Sequence, residues 1–159
     1  MSEEKNFPFT CKDLTKDTGF LMLQVSNLWA TSHDRVLKRQ YDLTHMQYAV
    51  LASIYWLVLY GEEVTQVRLA QHTKINAMTI SKMLKGLEIK GYVYRTTHSV
   101  DVRAKSVHLT GKGKEILDKA IKTIADVDTK FFNSLGKHID SFNGHMFDLL
   151  KENDYIVYD

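Results

Sequence analysis

"MTISKMLKGLEIKGYVYR", residues Met78–Arg95, reads as a helix that runs into a glycine and then a strand. On a helical wheel at about 100° per residue with Ile80 at the origin, Met83, Leu84 and Leu87 lie within about 60° of it, forming a stripe that must be buried. Met78, Ser81, Lys82 and Lys85 fall about 100–200° away, on the opposite face. That face carries two cations, a hydroxyl and an apolar tip. These are the groups that meet phosphates, base edges and thymine methyls in the major groove of DNA. Asn76 stands where it caps the helix, and the free amides and positive dipole end at Asn76–Thr79 suit a phosphate. Gly91 is the expected left-handed stop.

Upstream of this stretch, "VTQVRLAQHT" reads as a short helix capped by Thr65, with Val67, Leu69 and Ala70 turned inward. Thr44 and Gln47 form a capping box ahead of "YAVLASIYWLVLY", a helix apolar almost all round that belongs at the centre of the fold and ends at Gly61. From about Thr15 to Gln40 a long amphipathic helix is expected. Downstream, "YVYRT" and "AKSVHLT" are β-rich runs flanking a polar tip, which predicts a hairpin. Thr110 then caps a long helix that Gly136 breaks, and a last helix follows over Asp140–Glu152. The fold class is mainly α with a small β-hairpin wing: a winged helix-turn-helix core over residues 44–111, with helical dimerisation regions over residues 1–43 and 112–159.

The 159 residues suit one domain with its own core. No apolar run approaches the ~18–20 residues of a membrane span. The polar, acidic start is unlike a secretory signal, so a cytoplasmic location without membrane contact is expected. The lone Cys11 excludes an intramolecular disulfide framework and a cysteine-based zinc site. Charge is unevenly spread. Between Val64 and Thr110 eight basic residues face two acidic ones, a net +6 in a chain of net +2. Such a block points to a polyanion, although a solvated basic surface has the same composition. Within it Arg95, Arg103 and Lys105 lie on or beside the hairpin tip, where an arginine can enter the minor groove. Asp101 fits there if its carboxylate holds Arg103 or the loop backbone.

Three stretches, "LTHMQYAVL", "VTQVRLAQHTKINAMTISKMLKGLEIKGYVYR" and "DVRAKSVHLTGKGKEIL", resemble in order and spacing the MarR family of bacterial transcription regulators. The similarity runs from about Leu14 to Leu150. "LEIKGYVYR", the Asp101-x-Arg103 pair and "VHLTGKG" are its most specific pieces. It implies a homodimer that binds a pseudo-palindromic promoter site in double-stranded DNA, a repressor released by a small and often aromatic effector. It places Thr79, Ser81 and Lys82 on the recognition helix and Arg103 at the wing tip. It also implies an effector pocket between the dimer-forming and DNA-binding parts, for which Trp29, His33, Tyr48 and Tyr55 are candidates, beside the plainer reading that they are core or interface.

Phe7, Phe9, Leu14 and the segment from Phe131 to Leu150 lack an obvious partner within the chain. An isologous dimer would bury them and set two recognition helices about one DNA turn, ~34 Å, apart. The expected DNA-contacting set is Asn76, Met78, Thr79, Ser81, Lys82, Lys85, Arg95, Arg103 and Lys105, with Asp101 stabilising the wing. No cofactor and no metal are expected: His138, Asp140, His145 and Asp148 do not share one compact face. An enzyme is not expected, because the chain lacks a phosphate loop, a nucleophile elbow and a paired His–Glu motif. Two other readings remain: a winged-helix protein-interaction module without DNA binding, and an oxidant-sensing regulator acting through Cys11. In family members of the latter type the cysteine lies within the first helix, near Phe20 here, and Cys11 falls outside it.

Overall fold

The computed structural model describes residues 13–101 and 103–154. Cys11, Lys12, Phe7 and Phe9 lie outside the described residues. Among those described, the chain forms six α-helices and one antiparallel hairpin: α1 (Thr18–Tyr41), α2 (His45–Leu59), α3 (Gln66–Thr73), α4 (Ala77–Ile89), β1 (Val93–Thr97), β2 (Lys105–Leu109), α5 (Gly111–Phe131) and α6 (Ile139–Asn153). Short 3-10 turns precede α1 and α6.

Local chemistry sets the helix starts. Asp17 accepts from the Phe20 amide at the head of α1. The Thr44–Gln47 capping box closes in both directions at 3.1 Å. Thr65, Asn76 and Thr110 cap α3, α4 and α5 from their side-chain oxygens. Gly61 and Gly91 take positive φ just past α2 and α4. Gly136 also takes positive φ, but α5 already ends at Phe131, earlier than expected, and Gly136 kinks the 3-10 stretch Asn133–His138 that follows.

One core joins all the expected regions. Leu37 and Leu43 from the first, Leu51, Ile54, Leu69, Ile80, Leu84 and Leu87 from the helix-turn-helix, and Leu117 and Ile124 from α5 are buried in a single cluster. Hydrophobic packing therefore crosses the sequence positions 43/44 and 111/112. The C-terminal half of α1 and α5 as far as Ile124 are walls of the winged-helix core as well as the root of the outer helices.

Two expectations need correction. Val67 is 61% exposed, because α3 spans barely two turns and only its Leu69–Ala70 edge faces the core. The last turn of α2 is not central either. Trp56, Val58 and Leu59, with Tyr60 just past the helix, are exposed, and in that turn only Leu57 faces the core.

The hairpin pairs Val93 with Leu109 through Thr97 with Lys105, leaving residues 98–104 as the tip. It has a third edge that the sequence pattern did not announce. Val107 donates its amide to the Val64 carbonyl at 2.8 Å, and Thr65 bridges Ser106. The loop between α2 and α3 thus fastens the wing to the core.

Candidate nucleic-acid interface

The recognition face is built from α4. Ile80, Leu84 and Leu87 are buried and Met83 packs against the core, so the wheel is set as expected. Asn76 Oδ1 accepts from the Thr79 amide at 2.8 Å, and Gln66 Nε2 donates to the Ala77 carbonyl at 3.1 Å, fixing the start of α4 on α3. Met78 is 83% exposed, Lys82 and Lys85 are exposed, and Thr79 and Ser81 are half-buried at the edge of that face.

Ion pairing divides the basic block. Arg68 forks onto Glu62, Lys74 pairs with Asp154, Lys90 with Asp42 at 3.0 Å, and Arg95 with Glu88 at 3.0 Å. Lys82, Lys85, Arg103 and Lys105 make no ion pair among the described residues. The cations left over are those of the exposed α4 face and the wing. Arg95 departs from its expected position. It lies mid-strand on β1, half-buried, with its guanidinium against Glu88 of α4 rather than at the projecting loop, and its Nε is buried without a partner. Period-2 alternation turns that strand face toward the helix.

The wing tip is organised by side chains. Asp101 Oδ1 accepts the Arg103 amide at 3.0 Å, so of the two roles open to it the carboxylate holds the backbone. The Asp101 carbonyl accepts the Ala104 amide at 2.9 Å. His98 Nδ1 accepts the amides of Val100 and Asp101 at 3.2 and 3.1 Å. Glu63, which the sequence reading passed over, accepts from the Ser99 amide at 2.9 Å and from the hydroxyls of Ser99 and Ser106. Those donors, led by the Ser106 hydroxyl, pull its carboxyl down to about 2. No local motif marks Glu63, because its partners lie 36 and 43 residues away.

The candidate effector residues are partly gathered. Trp29 Nε1 donates to Asp128 Oδ1 at 2.7 Å, His33 Nε2 meets the same oxygen at 2.8 Å, and His45 Nδ1 lies 3.0 Å from His33 Nδ1. The Tyr48 ring stands 6.3 Å from that of His33. This cluster ties α1, α2 and α5 together. Tyr48 and Tyr55 both pack on the main core. A shallow depression of about 540 Å³ on the outer face of α1 is lined by Thr31, Asp34, Arg35, Lys38 and Arg39, and by none of the four candidates. His138, Asp140, His145 and Asp148 are exposed on the last helix and the turn before it. No helix among the described residues is long and apolar enough to cross a membrane.

The comparisons with known proteins agree with this geometry. The family model for an ArnR1-like winged-helix domain matches residues 39–128. The HTH-type transcriptional regulator YdcH of Bacillus subtilis is 32% identical over 133 residues, covering 84% of this chain and 89% of that protein. Among solved structures, the MepR–DNA complex of Staphylococcus aureus aligns with a TM-score of 0.75 at 22% identity, over 85% of this chain and 97% of that one. CouR of Rhodococcus jostii RHA1, bound to p-coumaroyl-CoA, aligns with a TM-score of 0.75 at 23% identity, over 91% and 96%.

Proposed function

The chain belongs to the ArnR1-like winged-helix family and is a MarR-type helix-turn-helix transcription regulator, and from that premise we infer that it works as a cytoplasmic homodimer on a pseudo-palindromic promoter site, without enzymatic activity. The observation that carries the reading is the sorting of charge. Among the described residues, four of the eight basic residues between Val64 and Thr110 are neutralised by carboxylates, and the four without an ion pair there are Lys82, Lys85, Arg103 and Lys105. In this reading the N-terminal turns of α4 enter the major groove. Met78, Thr79 and Ser81 face base edges, Lys82 and Lys85 face phosphates, and Asn76 presents the first-turn amides. Arg103 and Lys105 reach the neighbouring minor groove from the wing, held by Asp101, while Arg95 braces the wing against α4. A solvated basic surface offers no reason for that division.

Dimerisation is supported by the surface that the single chain leaves open. Leu21, Met22, Leu23, Val25 and Leu28 on α1, and Met146, Phe147, Leu149 and Leu150 on α6, are all exposed, and α6 buries none of its residues. A second copy covers such a surface by an isologous contact. Trp29, His33 and Tyr48, at the meeting of α1, α2 and α5, are the proposed seat of a small aromatic effector. A ligand favouring one spacing of the two recognition helices would release the operator by population shift. In this reading the protein is a repressor.

Fluorescence anisotropy with the duplex upstream of the protein's own gene and a scrambled duplex, at two salt concentrations, tests the reading. Preference for the upstream duplex of ~10³-fold or more is expected. Lys82→Ala and Arg103→Ala should each weaken binding and make the salt dependence shallower by about one phosphate contact. No binding to either duplex at low salt overturns the DNA reading in favour of a protein-interaction module, for which a pull-down with both variants is the next measurement.

A further inference from the structure

We propose that Glu63, in the loop between α2 and α3, is the residue that positions the wing arginine for DNA, acting through the ladder Glu63–Ser99–His98–Asp101–Arg103. The proposal rests on the reading that Arg103 contacts DNA.

The ladder is continuous. Glu63 Oε1 accepts the Ser99 amide at 2.9 Å and the Ser106 hydroxyl, while Oε2 accepts the Ser99 hydroxyl and faces His98 Nε2 at 3.3 Å. His98 Nδ1 accepts two backbone amides, Val100 and Asp101, at 3.2 and 3.1 Å. A nitrogen that accepts carries no proton, so the ring hydrogen sits on Nε2 and points at Glu63. Asp101 then accepts the Arg103 amide at 3.0 Å. Every rung ends on wing backbone or on the next side chain, and none uses the Arg103 guanidinium. The charge is therefore free for a ligand while the main chain beneath it is fixed.

The chemistry favours a carboxylate at position 63. Four donors converge on its two oxygens, and an ionised carboxylate accepts at both. An amide offers one accepting end and turns its NH₂ toward donors. The low pKa of Glu63, about 2, keeps it ionised throughout the working range of pH. The loop is also bound to the core on the other side, through the Val64 carbonyl and the Thr65 bridge to Ser106. Glu63 thus joins a fixed edge to a tip that, beyond Thr97 and Lys105, the backbone holds through the His98 amide on the Ala104 carbonyl at 3.2 Å and the Ala104 amide on the Asp101 carbonyl at 2.9 Å. A preordered arginine loses less entropy on binding than a swinging one.

The test is a double-variant cycle in the full-length protein. Affinity and salt slope are measured for wild type, Glu63→Gln, Arg103→Ala and the double variant, on the duplex that the wild type prefers. Glu63→Gln should weaken binding about tenfold and make the salt slope shallower by about one phosphate contact, as Arg103→Ala does. The double variant should bind no more weakly than Arg103→Ala. A merely structural role would lower the melting temperature without this coupling. If Glu63→Gln does not fold, Ser99→Ala, which removes one donor and keeps the amide, takes its place in the cycle. Wild-type binding by Glu63→Gln while Arg103→Ala weakens, or losses that multiply in the double variant, overturns the proposal and leaves the DNA reading standing. Wild-type binding by Arg103→Ala overturns the proposal together with the reading that Arg103 contacts DNA.

Discussion

At the scale of single residues, the pair His33–His45 shows how burial and neighbours set a protonation state. His33 is 1% exposed, and Asp128 Oδ1 receives the Trp29 indole N–H and the His33 Nε2 proton. His33 Nδ1 is then the acceptor for His45 Nδ1. Burial holds the His45 imidazole below the ordinary 6.5; repulsion from His33, when both rings carry a proton on each nitrogen, adds to this, and Asp34 and Asp128 act against it. The unfolded chain therefore binds the extra proton first. This contribution to stability is complete above pH 6.5 and is lost as pH falls through the lowered folded value. The melting temperature should fall on acidification below pH 6.5, and by less in His45→Asn, as thermal denaturation followed by circular dichroism would show. A slope unchanged in the variant would exclude His45 as its source. Glu63 shifts in the same direction for a different reason, hydrogen bonding rather than burial: its contribution is complete above 4.5 and is lost as pH falls toward about 2. Wing order, read from the Ser99 amide resonance, should therefore not change through Glu63 between neutral pH and about 5.

At the scale of elements, two contacts hold the recognition unit. Asn76 satisfies an orphan amide at the head of α4, so Asn76→Ala should cost about 1 kcal/mol in chemical denaturation, and Asn76→Ser much less. The wing and α5 meet at Gly113. A β-carbon there would stand 2.0 Å from the Tyr92 carbonyl oxygen, which also accepts the Thr110 amide at 3.0 Å. The obstacle is backbone, so no rotamer relieves it. Gly113→Ala should destabilise by about 3 kcal/mol, whereas Gly111→Ala, with open space around it, should be close to neutral. Both glycines sit in "TGKG", and only the packing distinguishes them.

At the scale of the whole molecule, the open apolar surface of α1 and α6 makes the oligomeric state the decisive measurement. Leu28 is 64% and Phe147 61% exposed in the single chain, too much apolar surface to leave in water along two helices. Leu28→Glu combined with Phe147→Glu should shift the protein from dimer to monomer in light scattering and should weaken operator binding with it, because one helix-turn-helix holds only a half-site. A monomeric wild type would exclude the proposed operator geometry. Lys74, in the turn before α4, pairs with Asp154 just past α6.

The sequence by itself determined the elements and their order. Caps at Thr44, Thr65, Asn76 and Thr110, glycine stops at Gly61 and Gly91, and the buried stripe of α4 are local or periodic features, and each survives in the fold within a residue or two. The exposed α4 face was legible for the same reason: burying one side of a helix dictates the other. Only the tertiary structure decided which cations are open, since Lys74 and Lys90 find their carboxylates 80 and 48 residues away. It also decided that Arg95 braces rather than projects, that Gly113 rather than Gly111 leaves no room for a β-carbon, and that Glu63 holds the wing. Those outcomes depend on contacts between distant segments, and neither period nor propensity encodes a partner that the chain meets only once it has folded.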